Sequence, residues 1–316
     1  MILCLGTSPV YQRTMVFERL TLDKVNRAQS VHDYASGKSI NAARVIRTLG
    51  ADALASGFVG GPRGELLRRE LDELGIRHEF VTVAPQTRQC VTVIDQAAGT
   101  ATELVEESIA VAEADWRQLE EKLRQLLPQA AVWVFSGTLP PQAPPDFYAR
   151  WLPLARQTGA AAIVDARGEP LRLAMRRPNP ILKINRDELA STIGEDLSDD
   201  TRLLAAMRRH VPAEGKIIVT LGAAGAMACE RATCWRASTP SVRTVSAVGS
   251  GDAFAGGLAV ALSQRLPTEE ALKVAVACGA ANAMTPLAGH VHPADVQKLL
   301  GLVGLSGNII ESREHE

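Results

Sequence analysis

The chain has 316 residues, a length that fits two domains of roughly 150 residues each or one large α/β domain with an appendage. Its 34 lysines and arginines against 35 aspartates and glutamates leave a net charge of −1, which excludes an electrostatic nucleic-acid binder, because such a protein needs a basic excess to displace counterions. A hydrophobic content of 46 % excludes a disordered chain, and the lack of an uninterrupted apolar run of about 18 residues excludes a membrane span.

In chain order, Met1–Leu5 reads as a buried strand, Ile40–Leu49 as a helix closed by Gly50, Ala53–Val59 as a strand and Glu65–Leu74 as a helix ending at Gly75. Further short apolar runs at 131–135, 161–164, 181–184 and 216–220 alternate with helical patterns at 115–127, 145–157, 187–193 and 201–210. Short apolar strands separated by amphipathic helices mark a parallel sheet covered on both faces, so the body is expected to be a three-layer α/β/α domain. Two stretches break the rhythm. Residues 11–34 and 77–107 alternate like strands, and 77–83, 89–95 and 101–105 are expected to form a small antiparallel sheet acting as a lid or a dimer surface. The last third is helical at 251–263, 268–284 and 293–300, with a frayed tail from Ser306 to Glu316.

Cys4, Cys90, Cys229, Cys234 and Cys278 show no Cys-x-x-Cys spacing, and the N-terminus lacks the basic segment of a signal peptide. They read as unpaired, buried thiols, and a cytoplasmic location is expected.

The strongest local signal is Val248-Gly-Ser-Gly-Asp252, opening an apolar helix. Glycines without Cβ let backbone N–H groups converge, and the helix start adds unpaired donors, so Gly249, Ser250 and Gly251 suit a phosphate in transfer. Asp252 at the same turn suits proton abstraction from an attacking hydroxyl; equally, it reads as a plain helix cap on a tight turn. Ser36-Gly-Lys-Ser39 looks like the end of a P-loop, but the required first glycine falls on His32, and no Gly-x-Gly-x-x-Gly follows the first strand. Lys38 and Asn41, one helical turn apart, suit a sugar hydroxyl or phosphate, or else are a solvated lysine and a capping amide. Arg88 reads as a phosphate clamp or a surface arginine. Asn185 and Glu188 read as an Mg²⁺ organiser or a capped helix start, and the Thr220–Ala226 glycine turn as a ligand approach or a hairpin.

Taken together and in chain order, Thr87-Arg88, Phe135–Pro140, Ile163–Leu171, Ile181–Leu189, Val219–Ala226 and Val248–Gly257 resemble the ribokinase-like (PfkB) carbohydrate kinase family. The resemblance is closest to its 1-phosphofructokinase and tagatose-6-phosphate kinase branch and runs from the first strand to about Thr285. It implies one ribokinase-like domain over 1–316 with a mainly parallel sheet and a β lid, and transfer of the γ-phosphoryl group of ATP, with Mg²⁺, to a hydroxyl of a phosphorylated ketohexose. Fructose 1-phosphate or tagatose 6-phosphate is the default acceptor. By the resemblance Asp252 is the catalytic base, and Gly249, Ser250 and Gly251 steady the transferring group. Lys183, Asn185, Glu188, Thr220, Gly222, Gly225 and Asn282 lie along the nucleotide, with Glu188 reaching Mg²⁺ through water. Gln12, Gly37, Lys38, Asn41 and Arg88 face the sugar phosphate, and a homodimer through the lid is implied.

Three stretches depart from the branch. Ser8-Pro-Val-Tyr-Gln12 stands where it usually has Asn-Pro-Ala-x-Asp, so an amide replaces the carboxylate that holds sugar hydroxyls. Ser36 and Ser39 replace glycines and are expected to narrow the sugar pocket, and Ser250 replaces an alanine, a milder change. The alternatives are a kinase of an unphosphorylated sugar or nucleoside, and a sugar- or nucleotide-binding protein with little catalysis.

Overall fold

The computed structural model describes residues 1–231 and 233–307. Among these, the main sheet has ten strands, ordered in space Gly304–Gly307, Thr233–Ser238, Ala226–Glu230, Lys216–Thr220, Pro180–Asn185, Ala161–Asp165, Val132–Ser136, Ile2–Gly6, Ala53–Val59 and Arg77–Thr82. The last seven are parallel to one another, and the first three run antiparallel at one edge.

Successive side chains leave a strand on opposite faces, which is why these segments are apolar throughout. Ile2, Cys4, Val132, Val134 and Ile163 enter one core with helices Lys38–Thr48, Ser250–Ser263 and Thr268–Ala283. Leu3, Leu5, Trp133, Phe135 and Val164 enter the other with helices Glu113–Leu126, Gly168–Met175 and Asp200–His210. The result is the expected three-layer α/β/α architecture, with a separate small sheet. Among the described residues no helix is long and apolar enough to cross a membrane.

The small sheet orders its strands Ser30–Ser36, Val10–Phe17, Arg88–Asp95 and Thr100–Val105. It is mixed, not antiparallel: the two central strands run parallel, pairing Val10 with Arg88 and Thr14 with Thr92. Arg77–Thr82 does not belong to it. Phe80 and Val81 are consecutive and both buried, one in each core, as only a strand covered on two faces requires. After helix Gly61–Glu73 it completes a β-α-β crossover beside Ala53–Val59.

Three further expectations are corrected. The helical pattern at 145–157 is a single 3₁₀ turn, Ala149–Trp151, then helix Leu152–Thr158, because Pro153 fits only a first helical turn. Ser306 and Gly307 are not frayed but pair with Arg236 and Trp235, while the rest of the tail, 308–316, lies outside the described residues. Cys229 and Cys234 are not free thiols. They face each other across the 226–238 hairpin with Cα atoms 4.2 Å apart and are disulfide-bonded, whereas Cys4, Cys90 and Cys278 remain buried thiols. This pairing removes part of the argument for a reducing compartment.

Candidate active site

The site lies at the C-terminal edge of the parallel strands, where two helices of one layer meet. Helix Lys38–Thr48 starts from Gly37 (φ 104°), where a side chain would press its Cβ to 3.1 Å from Pro9 Cα. Helix Ser250–Ser263 starts from Gly249 (φ 81°), where a Cβ would lie 2.6 Å from Ala288 Cα. Both cap positions lie in the left-handed region, which glycine enters freely. The two helices approach closely because Gly256 has no side chain; a Cβ there would lie 2.9 Å from Ala42 O. That approach brings Asn41 to Asp252, and Asn41 Nδ2 donates to Asp252 Oδ2 at 2.8 Å. Ser36 Oγ donates to Asn41 Oδ1 at 3.0 Å, which fixes the amide's orientation. Burial pushes the Asp252 carboxyl above the usual carboxylate range, against the pull of Lys38.

Backbone donors at the turn are unequal. The Ser250 N–H is taken by Ala247 O (3.1 Å) and that of Asp252 by Gly249 O (3.0 Å), whereas that of Gly251 makes no hydrogen bond among the described residues. A Cβ at Gly251 would stand 3.1 Å from Lys183 Nζ, so a free donor and an ammonium converge there.

Asp165, absent from the residues singled out in the sequence, is the hub. It is completely buried at the end of strand Ala161–Asp165 and accepts from Lys38 Nζ through Oδ1 and Lys183 Nζ through Oδ2, each at 2.6 Å. Burial opposes its ionisation, but the two ammonium groups win and hold the carboxyl down to about 2. Lys38 also lies 3.7 Å from Glu188 Oε1. Burial alone would lower the Lys38 ammonium, yet Asp165, Glu188 and Asp252 raise it instead. The sequence signals for Asp165 were its place in the Ile163–Leu171 stretch and a carboxylate just past an apolar run, at the edge where α/β sheets bind ligands.

On the far side, Asn185 caps helix Arg186–Ile193 and forms a capping box with Glu188: Asn185 Oδ1 accepts from Glu188 N at 2.8 Å, and Asn185 N donates to Glu188 Oε2 at 3.1 Å. Glu188 Oε1 is left toward Lys38. Thr220, level with Asn185 on the next strand, donates to Ile184 O at 3.3 Å. Gly222 opens a 3₁₀ turn, and at Gly225 a Cβ would fall 1.9 Å from Ala237 O, so close hairpin packing alone demands glycine there. Asn282 sits behind the Gly249 turn. It is completely buried, donates to Val248 O (2.9 Å) and Ser250 Oγ (3.3 Å), and accepts from Gly289 N (2.7 Å), bracing the Gly249 turn from behind.

The remaining residues converge. Gln12, Gly37, Lys38, Asn41, Arg88 and Asp252 line one cavity of about 260 Å³ between the lid and the two helix starts. Gln12 Nε2 donates to Thr92 Oγ1 at 2.9 Å. Ser39 points away from the cavity and packs against Gly6, where a Cβ would lie 2.1 Å from its Oγ. Arg88 donates to Glu106 O (3.0 Å) and Ser8 O (3.2 Å), while its buried Nε has no partner among the described residues. Glu103, also unremarked in the sequence, lines the cavity from the lid.

A carboxylate at a glycine turn, lysines converging on the same turn and a lid over the carboxylate define a phosphotransferase acting on an alcohol group. The chain matches the pfkB family carbohydrate kinase profile over residues 1–294 and belongs to that family, in which ATP is the phosphoryl donor and Mg²⁺ is typical. It is similar to Escherichia coli phosphofructokinase-2 solved with substrates and products, at 27 % identity, 95 % of this chain and 98 % of that one, with a TM-score of 0.86. The tetrameric inhibited form of that enzyme matches at 28 % identity over 95 % and 98 % of the two chains, with a TM-score of 0.85. A Thermotoga maritima protein described as a possible 1-phosphofructokinase shares the fold at 21 % identity over 97 % and 99 %, with a TM-score of 0.89.

Proposed function

We propose that the protein transfers the γ-phosphoryl group of ATP to a hydroxyl of a phosphorylated ketohexose, with fructose 1-phosphate or tagatose 6-phosphate as acceptor. The observation that carries this reading is Asp252, held by Asn41 at 2.8 Å in a cavity that Lys38 and Arg88 also line. Asp252 takes the proton of the acceptor hydroxyl as its oxygen bonds the γ-phosphorus. The bond to the bridging oxygen breaks, and ADP leaves. The Gly251 N–H and Lys183 face the charge that develops on the transferring group, and the positive charge of the Arg88 guanidinium suits the phosphate already on the acceptor. Asn185, Glu188, Thr220, Gly222 and Gly225 form the nucleotide side. Among the described residues no three acidic, histidine or cysteine side chains cluster as a metal cage. A single carboxylate, Glu188, fits Mg²⁺ held through water, an ion that usually keeps several waters and shares its ligands with nucleotide phosphates. Bound there, Mg²⁺ would neutralise phosphate charge.

The test is ADP release with ATP and Mg²⁺ against fructose 1-phosphate, tagatose 6-phosphate, fructose 6-phosphate and the free sugars. Turnover on one phosphorylated ketose is expected. Turnover on free sugars or nucleosides alone would move the acceptor to the unphosphorylated class, and binding without turnover would make the protein a sensor.

The assembly belongs to the same reading. On the outer lid face Val31, Met15 and Val93 stand in one cross-strand row and Val91 and Leu104 in the next, with Val31 49 % and Leu104 57 % exposed. Such a sheet face suits a second copy of the chain. Light scattering after size exclusion is expected to give twice the chain mass, and a charge placed at Leu104 to halve it. A wild type of single-chain mass rules the lid dimer out.

A further inference from the structure

We propose that Glu103, on the free edge of the lid, is a specificity-determining residue whose carboxylate accepts a hydrogen bond from a hydroxyl of the acceptor, so that the lid selects a polyol. This rests on the kinase reading of the same cavity. Glu103 pairs directly with Thr92, and residues directly opposite on antiparallel strands share a face. Thr92 is buried on the inner face and receives the Gln12 amide, so Glu103 belongs to the face that looks at Asp252. The cavity supplies Glu103 with no partner. Lys38 is engaged by Asp165, both Arg88 Nη groups go to backbone carbonyls, and Glu103 makes no hydrogen bond or ion pair among the described residues. Burial and the charge of Asp252 push its carboxyl upward, with Arg88 opposing.

Two carboxylates facing one cavity repel each other, and with Lys38 bound to Asp165 and Arg88 bound to backbone carbonyls the arrangement favours a ligand that brings donors. A bare anion is disfavoured at Glu103. A neutral hydroxyl, which donates without charge, suits it. The phosphate of the acceptor is then directed to the Arg88 end and the hydroxyls to the Glu103 end, which orients the sugar over Asp252.

The experiment is calorimetric titration, without nucleotide, of wild type, Glu103→Gln and Glu103→Ala with fructose 1-phosphate, free fructose and inorganic phosphate. Loss of a hydrogen bond to a charged group predicts that both variants bind the two sugars at least about tenfold more weakly. Inorganic phosphate should bind with equal or greater affinity, because a repelling charge has gone, and the melting temperature should hold. Sugar affinity unchanged in both variants, sugar and phosphate weakened in parallel, or no sugar binding by wild type would each overturn the assignment. Failure of the kinase reading is seen separately, as silence of wild type in the ADP-release panel while sugar binding still responds to Glu103.

Discussion

Replacing Asp252 with asparagine is expected to lower kcat by about 10²- to 10⁴-fold, the usual contribution of a positioned general base, with KM for ATP and acceptor little changed. The amide keeps the shape of the carboxylate and an oxygen for Asn41 Nδ2, so the helix starts stay in register. Stability should not suffer. The Asp252 carboxyl is raised in the folded state, so its contribution to stability is present below the unfolded value and is lost as pH rises through the folded one. Once ionised, the carboxylate is therefore a strain on the fold, and removing its charge should leave the melting temperature equal or higher. A stable variant without turnover separates catalysis from folding. The same raised value sets an acid limb: wild-type kcat/KM falls as pH drops and Asp252 takes up a proton, and the limb should be absent from any residual activity of Asp252→Asn. A variant within a few-fold of wild-type kcat would remove Asp252 from the mechanism.

The parts of this molecule legible in its sequence are those whose cause is local. Six of the seven parallel strands announce themselves because burial on two faces demands largely apolar runs, and Lys216–Thr220 and Pro293–Leu300 fall where the pattern puts them. The Gly249 turn and the Gly37 helix start were readable because backbone demands glycine there. Arg77–Thr82 was misplaced because a charged residue, His78 and Glu79 interrupt it, imitating a half-exposed strand; only its neighbours in space show that it closes the sheet edge. Ser39 looked like an obstruction of the sugar pocket, and only the missing Cβ of Gly6 explains where its hydroxymethyl goes. Cys229 and Cys234 meet because the hairpin returns at Thr233, and the return strand was not read. Asp252 and Asn41 lie 211 positions apart, and Asp165 and Lys38 127 apart, so no window along the chain contains either pair.

That separation is what makes Asp165→Ala a severe change to the site although Asp165 itself is not an expected ligand contact. Asp165 joins Lys38, at the start of the sugar-side helix, to Lys183, on the nucleotide-side strand, through its two oxygens. Lys183 is only 4 % exposed, so without Asp165 it becomes a buried ammonium that has lost its direct ion-pair partner. Breaking a buried pair on one side costs about 3–5 kcal/mol, several times an exposed surface bridge. Asp165→Ala should therefore unfold at markedly lower denaturant, and its surviving activity should show raised KM for both ATP and acceptor, since both lysines lose their anchor. Asp165→Asn keeps the volume and one acceptor oxygen and should recover part of the stability, yet only one lysine can be held at a time. The pH dependence carries an independent sign. A carboxyl held at about 2 contributes stability that is present above the ordinary aspartate range and is lost as pH falls through that low value. Wild type should accordingly lose stability steeply between about pH 4 and pH 2, and Asp165→Asn should show a shallower loss in that window. If denaturation curves of the alanine variant overlay those of wild type at neutral pH, the two lysines are solvated independently, and the sugar and nucleotide halves of the site are not joined through this carboxylate.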